Sequence, residues 1–331
     1  MSLDWTKFVE IVHRHQRFLF TTHIRPDGDG LGSMLALEEV LRRQGKEVQM
    51  VITSTFPPRY RFLDPEARIQ QFSPPGENYR QTEVVLVLDT GTDNQLAAFG
   101  PFLRSLPAVK VVIDHHRTQD ELGALRLVDT TAEATGRLVF EAITALGAPL
   151  PATAASALFV ALAMDTGWFR HSNATAATFA LAEKLVAAGA RPELLYDRLF
   201  EENSLARLKL TGLVLERLQV TAGGQVAYTE IRRRDYETTG ATPQDSEDLV
   251  NYTRSLTGVE VGLLFMEQPR GGVKVSFRSR ARVDVSRLAE QFGGGGHRLA
   301  SGAVLEAPLE EARARILQAV ELALDAARPT R

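Results

Sequence analysis

Phe18-Leu19-Phe20-Thr21-Thr22-His23-Ile24-Arg25-Pro26-Asp27-Gly28-Asp29-Gly30-Leu31-Gly32-Ser33 is the stretch on which the reading of this chain turns. A short apolar run gives way to a histidine and two aspartates interleaved with glycine, and a helix-periodic segment follows. The pattern predicts a strand over 18–24 and a helix over 31–44 that stops at Gly45. Asp27 and Asp29 are two apart, so in extended backbone both side chains point the same way. Gly28 and Gly30 are read as permitting a tight turn, and Gly32 as letting the helix pack closely. The helix N-terminus, placed near Ser33, would offer N–H donors to a phosphate at the same edge.

Three further segments repeat the theme. Asp89 ends the run Val84-Val85-Leu86-Val87-Leu88. Asp114-His115-His116 closes Val109-Lys110-Val111-Val112-Ile113, and Asp165 closes an apolar stretch before Thr166-Gly167-Trp168. All are read as lying at strand ends, where an α/β sheet builds a site along one edge. Asp89 is suited to bridging two ions, with His115 adding an imidazole and Asp165 a last carboxylate. Two ions about 3.5–4 Å apart would share a water and clamp phosphoryl oxygens. Nitrogen and oxygen donors without thiolate favour Mn²⁺, with Mg²⁺ or Co²⁺ as alternatives. Each element also has an ordinary reading. A lone aspartate after a strand is commonly a turn residue or helix cap, and Asp-Gly-Asp-Gly can be a turn or half of a calcium loop, though the loop's closing glutamate is missing. The ordered combination is what points to a two-metal hydrolase.

The chain has 331 residues, enough for about two domains, with 44% apolar and 24% charged residues. It has no cysteine, which excludes disulfides, zinc–thiolate sites and thiol nucleophiles. No apolar run is long enough to span a bilayer, and the first residues lack a secretory signal pattern. A cytoplasmic protein without membrane attachment is expected. A net charge of −3 argues against wrapping long duplex nucleic acid. The basic residues Arg270, Lys274, Arg278, Arg280, Arg282, Arg287 and Arg298 nevertheless cluster, and an anionic ligand of limited length would fit them.

Strands are also predicted over 47–53, 84–90 and 109–116, and helices over 133–146, 152–164 and 174–188. Strands alternating with helices imply a doubly wound, mostly parallel sheet with helices on both faces. This first domain is assigned to 1–190. A charged helix over 194–218 would form most of a linker at 191–220. A smaller α/β domain at 221–331 would follow, with a cleft between the two. Its strands are predicted over 225–231, 259–267, 273–280 and 303–306, and its helices over 246–256, 285–292 and 309–326. The tail at 329–331 is expected to be disordered.

Within that second domain, Arg278-Ser279-Arg280 sits on a predicted strand, where residues two apart share a face and guanidinium forks grip phosphate. The block Gly293-Gly294-Gly295-Gly296-His297 would let backbone N–H groups approach an anion, with His297 stacking on a base or meeting a terminal phosphate. A solvated basic strand followed by a flexible turn accounts for the same residues. After Asp165, Arg170 stands within reach of a substrate phosphate.

The whole series resembles the DHH phosphoesterase superfamily, named for the motif present here as Asp114-His115-His116. His23-x-x-x-Asp27-x-Asp29-Gly30, the strand-end Asp89 and Asp165-Thr166-Gly167 match its other motifs, and Gly294-Gly295-Gly296-His297 resembles the signature of the DHH-associated C-terminal domain. By length and spacing the chain is most similar to the nanoRNase/pAp phosphatase group. The resemblance implies one metal on His23, Asp27 and Asp89, and a second on Asp29, Asp89, His115 and Asp165. It implies that His116 contacts the scissile phosphate and that Asp114 orients a histidine. Asp89, Asp114 and His116 would then be the catalytic residues, and Arg278, Ser279, Arg280, Gly294, Gly295, Gly296, His297 and Arg170 the substrate contacts. The implied activity is end-wise degradation of short RNA or DNA oligonucleotides to mononucleotides, together with dephosphorylation of 3′-phosphoadenosine 5′-phosphate (pAp). Hydrolysis of pApA or a cyclic dinucleotide, and a non-catalytic nucleotide-binding regulator, are the alternatives. A homodimer is left open.

Overall fold

A computed structural model describes residues 3–269 and 271–327, with only the backbone of His297. The expected disorder of the tail and any role of Arg270 fall outside the described residues. The chain divides into two compact units, Met1–Glu202 and Asn203–Arg331.

The first unit is built on six strands: β1 Arg17–Thr21, β2 Glu47–Ile52, β3 Ile69–Gln71, β4 Val84–Leu88, β5 Val109–Asp114 and β6 Leu125–Val128. Their order across the sheet is β3-β2-β1-β4-β5-β6, and every neighbouring pair is parallel. Period-2 alternation sends the strand side chains into two cores. Phe18, Phe20, Val84, Leu86 and Leu88 pack with Leu31, Leu35, Leu138, Leu158 and Leu162 from three helices. Leu19, Val85, Val87 and Val112 pack on the other face with Leu96, Phe99, Phe102 and Leu103. Buried strands with helices on both faces are the doubly wound arrangement expected.

Several element boundaries differ from expectation. β1 stops at Thr21 and leaves His23 in the loop. The next helix is Gly28–Arg43, so it starts well before Ser33. Asp27 caps that helix, accepting the N–H groups of Asp29 and Gly30, which puts Asp29 in its first turn. The two aspartates therefore do not share an extended segment. Gly28 and Gly30 are needed for space rather than for a turn. A Cβ at Gly28 would lie 2.5 Å from Met164 Cγ, and one at Gly30 would lie 2.4 Å from Thr22 Oγ1. Asp165 ends the helix Ala152–Asp165, not a strand. The expected 194–218 helix is broken. A π-helical turn, Asp197–Glu201, ends the first part, and a new helix, Leu205–Glu216, begins where Ser204 Oγ accepts the Arg207 N–H.

The second unit holds a mixed sheet of β7 Gln219–Thr221, β8 Val226–Ile231, β9 Val261–Glu267, β10 Val273–Ser279, β11 Gly295–His297 and β12 Ala300–Leu305. The order is β11-β12-β10-β9-β8-β7, and only β8 and β9 run parallel. One face packs under the helices Val285–Glu290 and Leu309–Ala326, and part of the other under Leu205–Glu216. The glycine block, in which no strand was expected, is partly the edge strand β11. Instead of a helix over 246–256 there are a 3₁₀ turn, Pro243–Ser246, and a helical turn, Asn251–Arg254.

Candidate metal centre

In the order β3-β2-β1-β4-β5-β6, sequence direction reverses between β1 and β4, opening a crevice beyond their carboxyl ends. Thr21, Val87 and Val112 are aligned across β1, β4 and β5. Two residues past each of them stand His23, Asp89 and Asp114, so three motifs distant in sequence meet at one edge.

Each histidine is aimed by a backbone carbonyl or a carboxylate. His23 Nδ1 lies 3.0 Å from Ile24 O, turning Nε2 toward Asp89 Oδ2 at 3.4 Å and Asp27 Oδ1 at 3.7 Å. His115 Nδ1 lies 3.1 Å from Ala132 O. Its Nε2 then sits 3.4 Å from Asp165 Oδ2, 3.6 Å from Asp89 Oδ1 and 3.8 Å from Asp29 Oδ2. His116 is held instead by Asp114, whose Oδ1 lies 2.8 Å from its Nδ1 and also accepts the N–H groups of His115 and His116. Gln119 Nε2 donates to the other oxygen of Asp114. The donor atoms thus fall into close groups: His23 with Asp27 and Asp89, Asp29 with His115 and Asp165, and Asp89 with His115 and His116. Asp89 stands between the first two groups, one oxygen toward each.

Burial and mutual repulsion make this cluster electrostatically unhappy without a cation. Burial, then the charges of Asp89, Asp165 and Asp27, push Asp29 well above the usual carboxylate range. Burial and Asp89 raise Asp165 to about 7. Burial also opposes charge on Asp27, but the His23 hydrogen bond outweighs it and brings Asp27 to about 2. On His23 burial works against the proton, and the hydrogen bonds to Asp27 and Asp89 overcome it, raising its pKa well above the ordinary value. The Asp114 hydrogen bond raises His116 to about 9. Oxygen and imidazole donors converging around carboxylates that repel one another fit divalent cations.

Two contributors carried no motif. The helix Thr135–Ala145 points its N-terminus at Asp29: Thr135 N–H meets Oδ2 at 2.6 Å, and Gly136 N–H meets Oδ1 at 2.8 Å. Thr135 Oγ1 donates to Asp89 Oδ1 at 2.9 Å. A Thr-Gly pair opening a helix after Ala134 was the available signal, but nothing in it names the aspartates it serves. Arg170 is exposed in the turn after Asp165, its Nε donating to Gly167 O. Trp168 packs against Phe159, Tyr196 and Phe200, a packing role.

In the second unit, Ser279 points inward, its hydroxyl 3.1 Å from the buried Glu260 carboxylate. Arg278 lies on the opposite face of β10, with Nε 3.3 Å from Asn251 Oδ1. Arg280 follows the strand and clasps the carbonyls of Val259, Arg254 and Leu256. Gly294 and Gly296 lie against β12 with no room for a Cβ, which would come within 2.2 Å of Gly302 O and 2.7 Å of Ala300 O respectively. Gly295 has open space beside it. The side chain of His297 falls outside the described residues.

Residues 17–164 match the model of the DHH family N-terminal domain, and residues 223–326 match the DHHA1 domain. A relative from Thermus thermophilus, named bifunctional oligoribonuclease and PAP phosphatase NrnA, is 34% identical over 90% of this chain and 87% of its own length. The chain belongs to the DHH family. The structure of an exopolyphosphatase-related protein from Bacteroides fragilis superposes with a TM-score of 0.92 at 25% identity, covering 96% of this chain and 95% of that one. RecJ from Thermus thermophilus, solved with Mn²⁺, shares the fold at a TM-score of 0.55 and 16% identity, covering 97% of this chain and 55% of RecJ. Among the described residues of this DHH chain, no helix is long and apolar enough to cross a membrane.

Proposed function

We propose that this chain is a divalent-metal phosphoesterase that degrades short oligoribonucleotides from an end and dephosphorylates pAp to AMP. The observation that carries this reading is the pair of donor groups, His23 with Asp27 and Asp29 with His115 and Asp165, that flank Asp89 at the β1/β4 crevice. The relative named oligoribonuclease and PAP phosphatase supports the substrate class.

One ion would be held by His23, Asp27 and Asp89, and a second by Asp29, Asp89, His115 and Asp165; Mn²⁺ is the preferred metal. Ions bound there supply Lewis-acid stabilisation of phosphoryl oxygens and a water of lowered pKa. His116, held in place by Asp114, stands beside the cluster to stabilise charge developing on the scissile phosphate. Within the second unit, Arg278 and the open edge at Gly295 would contact a nucleotide, and Ser279 with Glu260 braces that strand. Arg280 serves this face as a clasp on the loop before β9.

The test is a rate comparison with Mn²⁺ on pAp, pApA, a 5-mer and a 24-mer RNA. Fast turnover of pAp and the short RNA, slow turnover of the 24-mer, and loss of all activity in Asp89→Asn is expected. Equal rates on 5-mer and 24-mer, or near-normal activity in the variant, would overturn the reading.

A further inference from the structure

Asp114 is buried, and its two oxygens are used differently. Oδ1 takes the main-chain N–H groups of His115 and His116 and the His116 ring nitrogen Nδ1. Oδ2 takes the Gln119 amide. The same Nε2 donates to His116 O at 3.1 Å, so both of its hydrogens are engaged. Carboxylate and carbonyl oxygens only accept, which fixes the amide: turned over, its oxygen would face two other oxygens. Gln119 Oε1 is then buried, with no hydrogen-bond partner among the described residues. It rests over Gly91, where a Cβ would lie 1.8 Å from Oε1 and 2.3 Å from Cδ. Gly91 and Gln119 form an isolated parallel bridge, and the Asp120 N–H meets Gly91 O at 2.8 Å. Gln119 thus ties the loop that follows Asp89 to the loop that carries Asp114 and His116.

We infer that Gln119 is a positioning residue for His116, acting through Asp114. The inference rests on the proposed phosphoesterase reading, in which His116 meets the scissile phosphate. A carboxylate held at one oxygen alone can swing about its Cβ–Cγ bond. Anchoring Oδ2 removes that freedom and keeps Oδ1 on His116 Nδ1. The imidazole then cannot turn, and Nε2 is the nitrogen left for substrate. The second Gln119 hydrogen bond, to His116 O, holds the main chain of the same residue. Other side chains fail here for stated reasons. Asparagine is one methylene shorter, and glutamate would set a second carboxylate against Asp114. Gly91 belongs to the same device, because a side chain there meets the movable end of Gln119 and displaces it. Gln119 and Gly91 therefore act as one unit, although neither is a metal donor.

The test uses the full chain in two variants, Gln119→Met, which keeps the side-chain length but has no N–H, and Gly91→Ala. The first readout needs no substrate. In a proton–nitrogen NMR spectrum of histidine-labelled, Mg²⁺-loaded protein, the His116 Nδ1–H signal is the one missing from His116→Ala. It should be sharp in the wild type and lost to exchange with water in both variants. The second readout is pAp hydrolysis with Mn²⁺. In both variants kcat should fall about tenfold or more, with KM and the Mn²⁺ affinity by titration calorimetry little changed. Gly91→Ala should cost nothing further in a Gln119→Ala background, and Gln119→Met little in a His116→Ala background. An undisturbed His116 signal in Gln119→Met, an unchanged kcat, a loss of kcat matched by a loss of Mn²⁺ affinity, or additive losses in the double variants would each overturn the inference. A wild-type chain that turns over neither pAp nor short RNA would instead count against the phosphoesterase reading, and the His116 signal would still decide whether Gln119 positions that ring.

Discussion

Asp89 combines an unusual backbone conformation with a carboxylate placed between two groups of donors. It has a left-handed backbone, φ +62°, and its N–H still reaches Ile113 O at 3.0 Å. An aspartate tolerates that region better than most residues, and the turn delivers its carboxylate between the two donor groups. Thr135 then sets which oxygen faces which group, because its hydroxyl holds Oδ1 while Oδ2 faces His23. Thr135→Val removes that hydrogen bond with little change of volume. Mn²⁺ affinity by titration calorimetry should fall roughly tenfold or more, and Thr135→Ser should restore most of it. Unchanged affinity in the valine variant would leave Thr135 as ordinary packing. His23, Asp27, Asp29, Asp89, His115 and Asp165 were legible in the sequence because their chemistry resides in the residue type. Thr135 and Gly136 were not, since what they offer Asp29 is a main-chain N–H that every non-proline residue has.

Among the elements, the helices Gly28–Arg43 and Ala152–Asp165 matter most, because Asp29 opens one and Asp165 ends the other. They approach closely at Gly32, where a Cβ would lie 2.3 Å from Ala157 O and 3.1 Å from Ala161 Cβ. Gly32→Ala must therefore part the helices. A loss of about 1–3 kcal/mol in chemical denaturation is expected, with a fall in Mn²⁺ affinity as Asp29 and Asp165 separate. Wild-type stability in that variant would contradict the packing described. The closeness at Gly32 could be read from the sequence, but the start of its helix could not. Aspartate caps helices and also populates turns, and only the N–H groups it accepts at Asp29 and Gly30 decide between them. The short strands β3, β6, β7 and β11 escaped notice for a related reason. With three or four residues apiece they are too short to show a period, and they exist because a neighbouring strand pairs with them.

At the scale of the whole molecule, six parallel strands with cores on both faces form a rigid support, and the site rests on the one crevice that support provides. The buried carboxylates at this edge oppose one another until a cation joins them, so metal binding and folding of the first unit are linked. Mn²⁺ at a hundredfold over its Kd should stabilise that unit by about 2.7 kcal/mol. That corresponds to roughly 5–10 °C for a domain of this size in scanning calorimetry. Asp89→Asn should abolish the shift; an equal shift in that variant would place the bound metal elsewhere. Residue types and local periods encode the set of groups and their order: carboxylates and imidazoles, the strands that lead to His23, Asp89 and Asp114, and an α/β alternation. Which donors stand together was decided only by tertiary structure. Asp29 meets Thr135 N–H across 106 residues of chain, and a contact of that span is set by strand order and helix packing, which no local pattern encodes.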